Sequence, residues 1–374
     1  MDKKVILAVA VAAIVVVGIA SAALLLNRGG NGGAVSYLAF APKDMKAALA
    51  TDQVDAYIAW EPYVSDSVVG HVGEVLLWSE EIMSGHPCCV VLLSNSFAAG
   101  TDGHELSLRF VKAHIEATKW MVDALEAGSG TNYTKLVDMA VEFTQRNSTV
   151  ISAAFQHLEF RYIMDSAFTS ALEQFTEMYV ELNMTTTEDL TDRGYTSVED
   201  FVDSYVNTTY IEQAATVLPS ATILNPDSPI RLGYLLGDLH QMAQVVALNT
   251  EVLGTGKSLF QEYGLNVQKA TGAPFANGGA EMTAFAGGLV DIGYLGAPPA
   301  ILRHLNEAIG ATIIAQANVE GSGLVVAVGS GITSLEGLVN KTVAVPGPPP
   351  ESSIQFLLLK IALEREGLEL KVKT

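Results

Sequence analysis

Two stretches of similar sequence decide the fold: "LATDQVDAYIAWEP" at Leu49–Pro62 and "FAGGLVDIGYLGAP" at Phe285–Pro298. When Asp55 is aligned with Asp291, one alanine, one valine and the final proline of the two stretches also coincide. Each stretch reads as the end of an alanine-rich helix, a tight turn and a short apolar strand that runs into a proline. The chain therefore contains an internal repeat of the unit from which parallel α/β sheets are built.

The segment that should precede the first repeat is found at the other end of the chain. Before the second repeat, "FQEYGLNVQKA" predicts a helix end, a glycine and a strand, and the last residues, "ALEREGLELKVKT", show the same pattern. Gly264–Asp291 spans 28 residues, whereas Gly367–Thr374 and Val35–Asp55 together span 29. Helix–Gly–strand patterns are common, but the agreement in length favours a circularly permuted chain whose ends are neighbours in one lobe.

A second feature of the sequence, a linker, supports the permuted order. Residues 216–227 carry prolines and small polar residues without periodicity, which indicates a linker that joins the fold's usual C-terminus to its usual N-terminus. When 225–374 is followed by 35–215, strands and helices alternate, which predicts parallel sheets with ligands at the strand C-termini. The predicted strands lie at 231–235, 265–270, 291–294, 323–329, 341–347, 55–62, 74–78 and 88–97.

Composition restricts the class of partner. The net charge of −20 argues against a nucleic-acid partner, because phosphate binding needs Lys and Arg. Cys88 and Cys89 are the two cysteines, and their adjacency offers neither a disulfide framework nor metal-ligand spacing. We therefore expect a buried pair of small apolar residues, and we predict no cofactor and no metal.

The N-terminus predicts a membrane anchor or a signal. Val5–Leu26 carries no charge and is long enough to cross a hydrocarbon core of roughly 30 Å. The preceding lysines should stay in the cytoplasm and place the rest outside, although "ASA" at Ala20–Ala22 offers a signal-peptidase site as the alternative. We expect residues 1–27 to be the anchor or signal, and residues 28–34 to be a glycine-rich tether.

In the permuted order the chain resembles an ABC-transporter solute-binding protein of the nitrate/sulfonate/taurine type. The resemblance covers most of 35–374 and is carried by "GGLVDIGYLGAPPAI", "SLEGLVNKTVAVPG" with the following "SSIQ", "VDAYIAWEP" and "GHPCCVVLLSNSF". The resemblance implies an α/β, two-lobed, type II periplasmic-binding fold with a hinge. It also implies that the protein binds a small anion such as nitrate, bicarbonate, taurine or a sulfonate between the lobes and delivers it to a membrane permease. The implied lobes are 81–215 plus 228–331, and 35–80 plus 332–374. The implied location is the outer face of the cytoplasmic membrane, or secretion if the signal is cleaved.

The candidate ligand-binding residues follow strand ends or begin helices. Gly278–Gly279 and Ser352–Ser353 begin helices whose free amides and dipole suit an anion, although glycine and serine also serve as ordinary helix caps. A helix cap is likewise the alternative role for Asp238, and a place in the core is the alternative for Trp60. The full candidate set is Gly237, Asp238, His240, Gly278, Gly279, Tyr294, Gly296, Phe40, Trp60, Glu61, His86, Cys88, Pro348, Ser352 and Ser353.

Enzymatic activity is the less favoured alternative. The sequence has no nucleophile elbow, no H-E-x-x-H and no P-loop. Thiamine-pyrimidine synthases resemble this family and use a histidine with a cysteine-rich motif, of which only Cys88-Cys89 is present. The sequence therefore favours a binding protein that catalyses no reaction.

Overall fold

The computed structural model describes residues 33–373. Within that range the strands are β1 (Ala34–Phe40), β2 (Ala56–Trp60), β3 (Gly73–Trp78), β4 (Cys89–Ser94), β5 (Leu158–Phe160), β6 (Ile230–Gly233), β7 (Val267–Lys269), β8 (Ile292–Gly296), β9 (Ala311–Gln316), β10 (Asn318–Glu320), β11 (Ser322–Ala327), β12 (Thr342–Pro346) and β13 (Glu369–Val372).

The α-helices of the described range are α1 (Pro42–Ala50), α2 (Tyr63–Val69), α3 (Ser79–Ile82), α4 (Asn95–Ala98), α5 (Gly103–Ala127), α6 (Thr131–Thr144), α7 (Ser148–Ala154), α8 (Ser166–Glu181), α9 (Thr187–Asp192), α10 (Val198–Tyr205), α11 (Thr209–Ala214), α12 (Met242–Leu248), α13 (Leu259–Glu262), α14 (Gly278–Ala286), α15 (Ala297–Glu307) and α16 (Ile354–Arg365). Short 3₁₀ turns lie at Phe155–His157, Leu239–Gln241, Leu335–Leu338 and Pro350–Ser352. Among these described helices none is both long and apolar enough to cross a membrane. The predicted anchor lies outside the described residues.

The two large sheets share one strand order. The five-stranded sheet runs β7-β6-β8-β4-β9, and the six-stranded sheet runs β13-β1-β12-β2-β11-β3. In the five-stranded sheet β7, β6 and β8 pair in parallel, and in the six-stranded sheet β13, β1, β12 and β2 pair in parallel. The next strand, β4 or β11, is antiparallel to both of its neighbours. Apart from β13, the sheets therefore match strand for strand. We call residues 86–317, built on the five-stranded sheet, the first lobe, and residues 33–80 with 322–373, built on the six-stranded sheet, the second lobe.

Asp55 and Asp291, the aspartates of the two repeats, make the same hydrogen bonds in the two sheets. Asp55 accepts a hydrogen bond from the backbone N of Thr342 at 2.9 Å, and Asp291 accepts one from the backbone N of Arg231 at 2.8 Å. The backbone N of each aspartate in turn donates to the carbonyl of the same partner at 2.9 Å. Each carboxylate thus fixes the register of one strand against its parallel neighbour, β2 against β12 and β8 against β6.

Strand β1 is not predicted by the sequence, and it takes the position beside β12 that the sequence assigns to the C-terminal strand. It pairs in parallel with β12, precedes α1, and occupies the place that β7 holds in the other sheet. The terminal strand β13 was expected to fill that place, but it lies outside β1 at the sheet edge. The backbone N of Glu369 nevertheless donates to the carbonyl of Gly33 at 3.2 Å. The first and last described segments are therefore hydrogen-bonded neighbours.

The predicted lobe boundary at 331/332 is wrong. Strand β11 was grouped with the lobe that precedes it, yet it pairs with β2 and β3 in the six-stranded sheet. The chain leaves the first lobe after β9, and β10 pairs with β5 in a small antiparallel sheet before β11 begins. The passage between lobes therefore lies at 318–321, and a second passage joins β3 to β4.

The predicted linker, 216–227, is irregular but held in place. The backbone N of Ser220 donates to Glu262, and that of Leu224 donates to Gly264. The buried side chain of Asn225 exchanges hydrogen bonds with Asn266 at 2.8 Å in both directions. Its hydrogen bonds tie the segment to the loop before β7.

Candidate ligand-binding site

A cavity lies between the two lobes, at the ends of the parallel strands. The space open to the centre of a water molecule is about 50 Å³. Since one water needs roughly 10–15 Å³ on this measure, the cavity has room for a few waters or one small solute. Both lobes contribute walls, so a solute held here would contact both.

Ten of the predicted residues line this cavity. They come from strand ends, helix starts and the proline-rich loop after β12, as the reordered fold implied. They are Asp238, His240, Gly278, Gly279, Gly296, Trp60, Cys88, Pro348, Ser352 and Ser353.

The other five predicted residues do not line the cavity. Tyr294 is fully buried, and its hydroxyl hydrogen-bonds Nδ1 of His114 at 3.0 Å inside the first lobe. Gly237 adopts φ +62 in a turn and faces the backbone of Thr144. Phe40 packs on the far side of the second lobe's sheet, against the cluster that contains Met45.

Glu61 and His86 are buried by their own local structure. Glu61 accepts hydrogen bonds from the backbone N of Ser65 at 3.0 Å and from its hydroxyl at 2.7 Å, so it serves the start of α2. Burial raises the pKa of Glu61 to about 7. His86 is buried, its Nδ1 lies 3.3 Å from the carbonyl of Pro87, and burial lowers its pKa. Both residues support the cavity wall from behind.

The start of α14 presents free backbone amides to the cavity. Asn277 caps the helix by accepting a hydrogen bond from the backbone N of Ala280 at 2.9 Å. The amides of Gly278 and Gly279 precede the first amide that donates along the helix, that of Glu281, so helix geometry gives them no partner within the helix. A Cβ at Gly278 would lie 2.6 Å from Cγ of Pro299, which requires a glycine there.

The start of α16 faces α14 from the other lobe. Ser353 caps it by accepting a hydrogen bond from the backbone N of Phe356 at 3.2 Å, which confirms the ordinary capping interpretation for this residue. Its hydroxyl and that of Ser352 donate to proline carbonyls at 2.7 and 2.9 Å. The hydroxyls are thus already engaged, and the amides of Ile354 and Gln355 are the groups that helix geometry leaves free.

A buried polar cluster forms the floor of the cavity in the first lobe. Sγ of Cys88 lies 3.1 Å from Nδ1 of His240, and Sγ of Cys89 lies 3.7 Å from a carboxylate oxygen of Asp238. That carboxylate also accepts from the backbone N of His240 at 3.0 Å and from the side chain of Gln241 at 3.1 Å. The expectation of a merely apolar cysteine pair is therefore wrong.

The groups of this cluster shift one another's pKa values. The hydrogen bond from Cys89, together with the charge of His240, holds the pKa of Cys88 well below its usual range. Burial alone would lower the pKa of His240, but the charges of Cys88 and Asp238 outweigh it and raise that pKa to about 9. Burial raises the pKa of Asp238 to about 6. Both shifts act in the direction that favours a thiolate at Cys88 and a protonated imidazole at His240.

Three buried side chains at or beside the cavity have polar atoms with no hydrogen-bond partner among residues 33–373. Nε1 of Trp60 is one of them, and Trp60 lines the cavity. The others are Nε2 of His86 and both carboxyl oxygens of Glu281, on α14. Glu281 lies against the backbones of Gly233 and Gly293, and burial raises its pKa well above the usual range.

Direct contacts join the lobes at the rim. Asp66, on α2, forms an ion pair of 2.8 Å with Arg146 in the first lobe. The ring of Trp78, at the end of β3, stacks on His157 with centroids 3.5 Å apart. The hydroxyl of Tyr63 reaches the carbonyl of Leu236 at 3.4 Å. The lobes are therefore in contact on the faces that flank the cavity.

The candidate set from the sequence omits nine lining residues. Asn277 could have been found as the cap before Gly278, and Cys89 by its adjacency to Cys88. Gln355 is a polar residue in the first turn of α16, and the others are apolar or belong to loops whose path the sequence does not show. The full set is Cys89, Leu235, Asn277, Pro299, Pro346, Gly347, Pro349, Ile354 and Gln355.

Fold and site together define an α/β protein of two lobes, each built on one large sheet, with a small cavity between the lobes. A model of the NMT1-like family matches residues 18–129 of this chain. The matched range includes β1–β4 and α5, and so contains the passage from the second lobe to the first. No curated protein and no solved structure matches the chain. The family match favours a solute-binding role.

Proposed function

We propose that this chain is the extracytoplasmic solute-binding component of an ABC importer. The observation that carries the proposal is the cavity between the lobes, where helix starts from both lobes face one another. A solute bound there would contact both lobes and favour the arrangement that brings them together. The match to the NMT1-like family supports the same role.

The ligand is a small solute with an anionic or strongly hydrogen-bond-accepting head group. Free amides at the starts of α14 and α16, together with Nε1 of Trp60, offer donors without acceptors. The described lining contains no lysine or arginine, so recognition depends on amides and the indole rather than on a salt bridge. Nitrate, bicarbonate, taurine and short sulfonates are compact enough for this cavity.

The partner is a membrane permease of the ABC type. The apolar segment Val5–Leu26 would hold the protein at the outer face of the cytoplasmic membrane, or direct its secretion if it is cleaved. This placement rests on the sequence.

We also propose that the chain order is circularly permuted. Without β13 the two sheets have the same strand order, and the described chain begins with β1 and ends with β13, which pair with each other at the edge of the six-stranded sheet. A chain of residues 225–368 followed directly by 34–215 should therefore fold and melt as a single species. Failure of that chain to fold, beside a folding control of native order, would refute the permuted order.

A thermal-shift panel tests the solute-binding role. A ligand that binds only the folded protein stabilises it by about 2.7 kcal/mol at a hundredfold excess over Kd. Gly279→Val should abolish the response to the ligand, because a Cβ there meets only Asn277, at 3.3 Å, and the larger side chain enters the cavity. Ser353→Phe should do the same from the second lobe. Ala286→Val, on an exposed position of α14, is the matched control and should respond normally.

A response that survives both cavity changes would refute the site. No response to any member of the panel would refute the solute class proposed here.

An enzyme on the same scaffold is the second candidate, and one observation favours it. The 3.1 Å contact of Cys88 with His240 is the arrangement that activates a cysteine nucleophile. Chemical turnover of a solute that binds, lost in Cys88→Ser with binding retained, would establish the enzyme in place of the transport protein.

A further inference from the structure

The floor of the cavity brings together three groups that bind transition metals. Sγ of Cys88, Sγ of Cys89 and Nδ1 of His240 all lie within 4.8 Å of one another and are buried. In a tetrahedral zinc site, neighbouring sulfur and nitrogen ligands are about 3.6–3.8 Å apart, since the metal bonds are about 2.3 and 2.0–2.1 Å. Side-chain shifts of about an ångström would therefore complete the coordination geometry.

Local backbone geometry makes this convergence possible. Adjacent residues within a strand point to opposite faces of the sheet. Strand β4 begins at Cys89, so Cys88 stands before the pleated segment. Its sulfur is therefore free to turn toward the same side as that of Cys89, and both lie near Asp238 and His240.

The imidazole is already oriented as a metal ligand. Nε2 of His240 lies 3.1 Å from the carbonyl of Gly321, and a carbonyl can only accept, so Nε2 carries a hydrogen and donates it. This leaves Nδ1 toward the two sulfurs, which is the outer-shell arrangement typical of metal-bound histidine. Gly321 permits this close approach, because a Cβ there would lie 2.4 Å from Nε2.

Asp238 is the fourth group of the cluster. One carboxylate oxygen lies 3.6 Å from Nδ1 of His240, and the other lies 3.7 Å from Sγ of Cys89. The backbone N of His240 and the side chain of Gln241 fix this carboxylate in place. It can serve as a ligand or leave the fourth position open toward the cavity.

We propose that Cys88, Cys89 and His240, with Asp238, form a binding site for a thiolate-preferring transition-metal ion, with Zn²⁺ as the representative ion. Two thiolates and an imidazole are a donor set that selects such ions over Mg²⁺ or Ca²⁺. The ion would take the place of the proton between Sγ of Cys88 and Nδ1 of His240. It would also bring positive charge to a cavity whose described lining has no lysine or arginine.

Cobalt titration tests the site on the reduced full-length chain. Co²⁺ stands in for Zn²⁺ because its spectrum reports geometry and ligands. We expect one ion per chain, the strong visible absorption of a tetrahedral site, a near-ultraviolet thiolate-to-cobalt band, and displacement of Co²⁺ by Zn²⁺. Cys88→Ser and Cys89→Ser should each remove one thiolate contribution, and His240→Gln should weaken binding of Co²⁺.

The matched control is His104→Gln, an exposed histidine that should leave the titration unchanged. Equal Co²⁺ affinity in the double serine variant, or absence of the thiolate band in the wild type, would overturn the proposal. X-ray absorption of the zinc-loaded wild type needs no variant. Two sulfur neighbours at about 2.3 Å support the site, and a shell of only oxygen and nitrogen overturns it.

The metal and solute tests are independent. The thermal-shift panel is run on chelator-treated protein, and the Co²⁺ titration is run without any solute. Failure of one therefore leaves the result of the other standing.

Discussion

Replacement of Glu281 by methionine should stabilise the protein. Glu281 is fully buried, and neither carboxyl oxygen has a hydrogen-bond partner among the described residues. A buried group left unsatisfied costs about 1–3 kcal/mol, and more when it is charged. Glu281 lies in the first turn of α14, where a negative charge contributes about 0.3–1 kcal/mol in the opposite direction. The desolvation cost is the larger of the two, so Glu281→Met should gain about 1–2 kcal/mol near neutral pH.

The gain should depend on pH. Burial raises the pKa of Glu281 in the folded state above its unfolded value. The stability that this group contributes is therefore fully present below the unfolded pKa and is lost as the pH rises through the folded pKa. Methionine does not titrate, so the advantage of Glu281→Met should be smallest near pH 4 and should grow with pH.

Urea unfolding of wild type and variant at several pH values measures this difference. Glu188→Met is the matched control, because Glu188 also lies in a helix first turn but is exposed. The control should lose stability slightly or remain unchanged. A variant less stable than the wild type at pH 8, or a difference independent of pH, would refute the assignment of Glu281 as an uncompensated buried carboxyl.

Three further predictions concern stability and the contact between the lobes. Gly293→Ala should lower the free energy of unfolding by about 1–3 kcal/mol, because the new Cβ would lie 2.2 Å from Glu281 and 2.9 Å from Phe285. Gly287→Ala, whose Cβ would have its nearest neighbour at 3.5 Å, should be tolerated. Thermal melting of the two variants compares these effects. Asp291→Ala should lower the free energy of unfolding in urea by about 1–3 kcal/mol. Asp55→Ala should lower it by less, because the side chain of Asp55 is more exposed than that of Asp291. An equal loss in the two variants would contradict this ranking. Arg146→Met removes an ion pair between the lobes worth up to about 1 kcal/mol, so the solute Kd should rise by no more than about fivefold. Lys46→Met, which removes the pair with Asp66 inside the second lobe, should leave that Kd unchanged in calorimetry.

The sequence predicted the repeated units because their chemistry is local. At each repeat the valine is buried, and the aspartate accepts a hydrogen bond from the backbone of the neighbouring strand, β12 or β6. Helix starts at Gly278 and Ser353 were also readable, since caps depend on neighbouring residues. These features placed most of the cavity wall without any knowledge of tertiary contacts.

The features that the sequence did not show depend on distant contacts. Strand β1 follows a glycine-rich stretch and could be recognised only by its pairing with β12. The boundary at 331/332 was misplaced because an apolar strand such as β11 does not indicate which sheet it joins. Cys88 and His240 are 152 positions apart, so no spacing rule could bring them into one cluster.

The stack of Trp78 on His157 gives the molecule an optical signal of its own. Trp78 belongs to the second lobe and His157 to the first, and their ring planes are within 14° of parallel. An imidazole held against an indole alters its emission, and the effect falls steeply once the rings separate. The chain has three tryptophans, so replacement of Trp60 and Trp120 by phenylalanine would leave Trp78 as the single emitter. The angle between the lobes could then be followed in solution by fluorescence, without an attached dye.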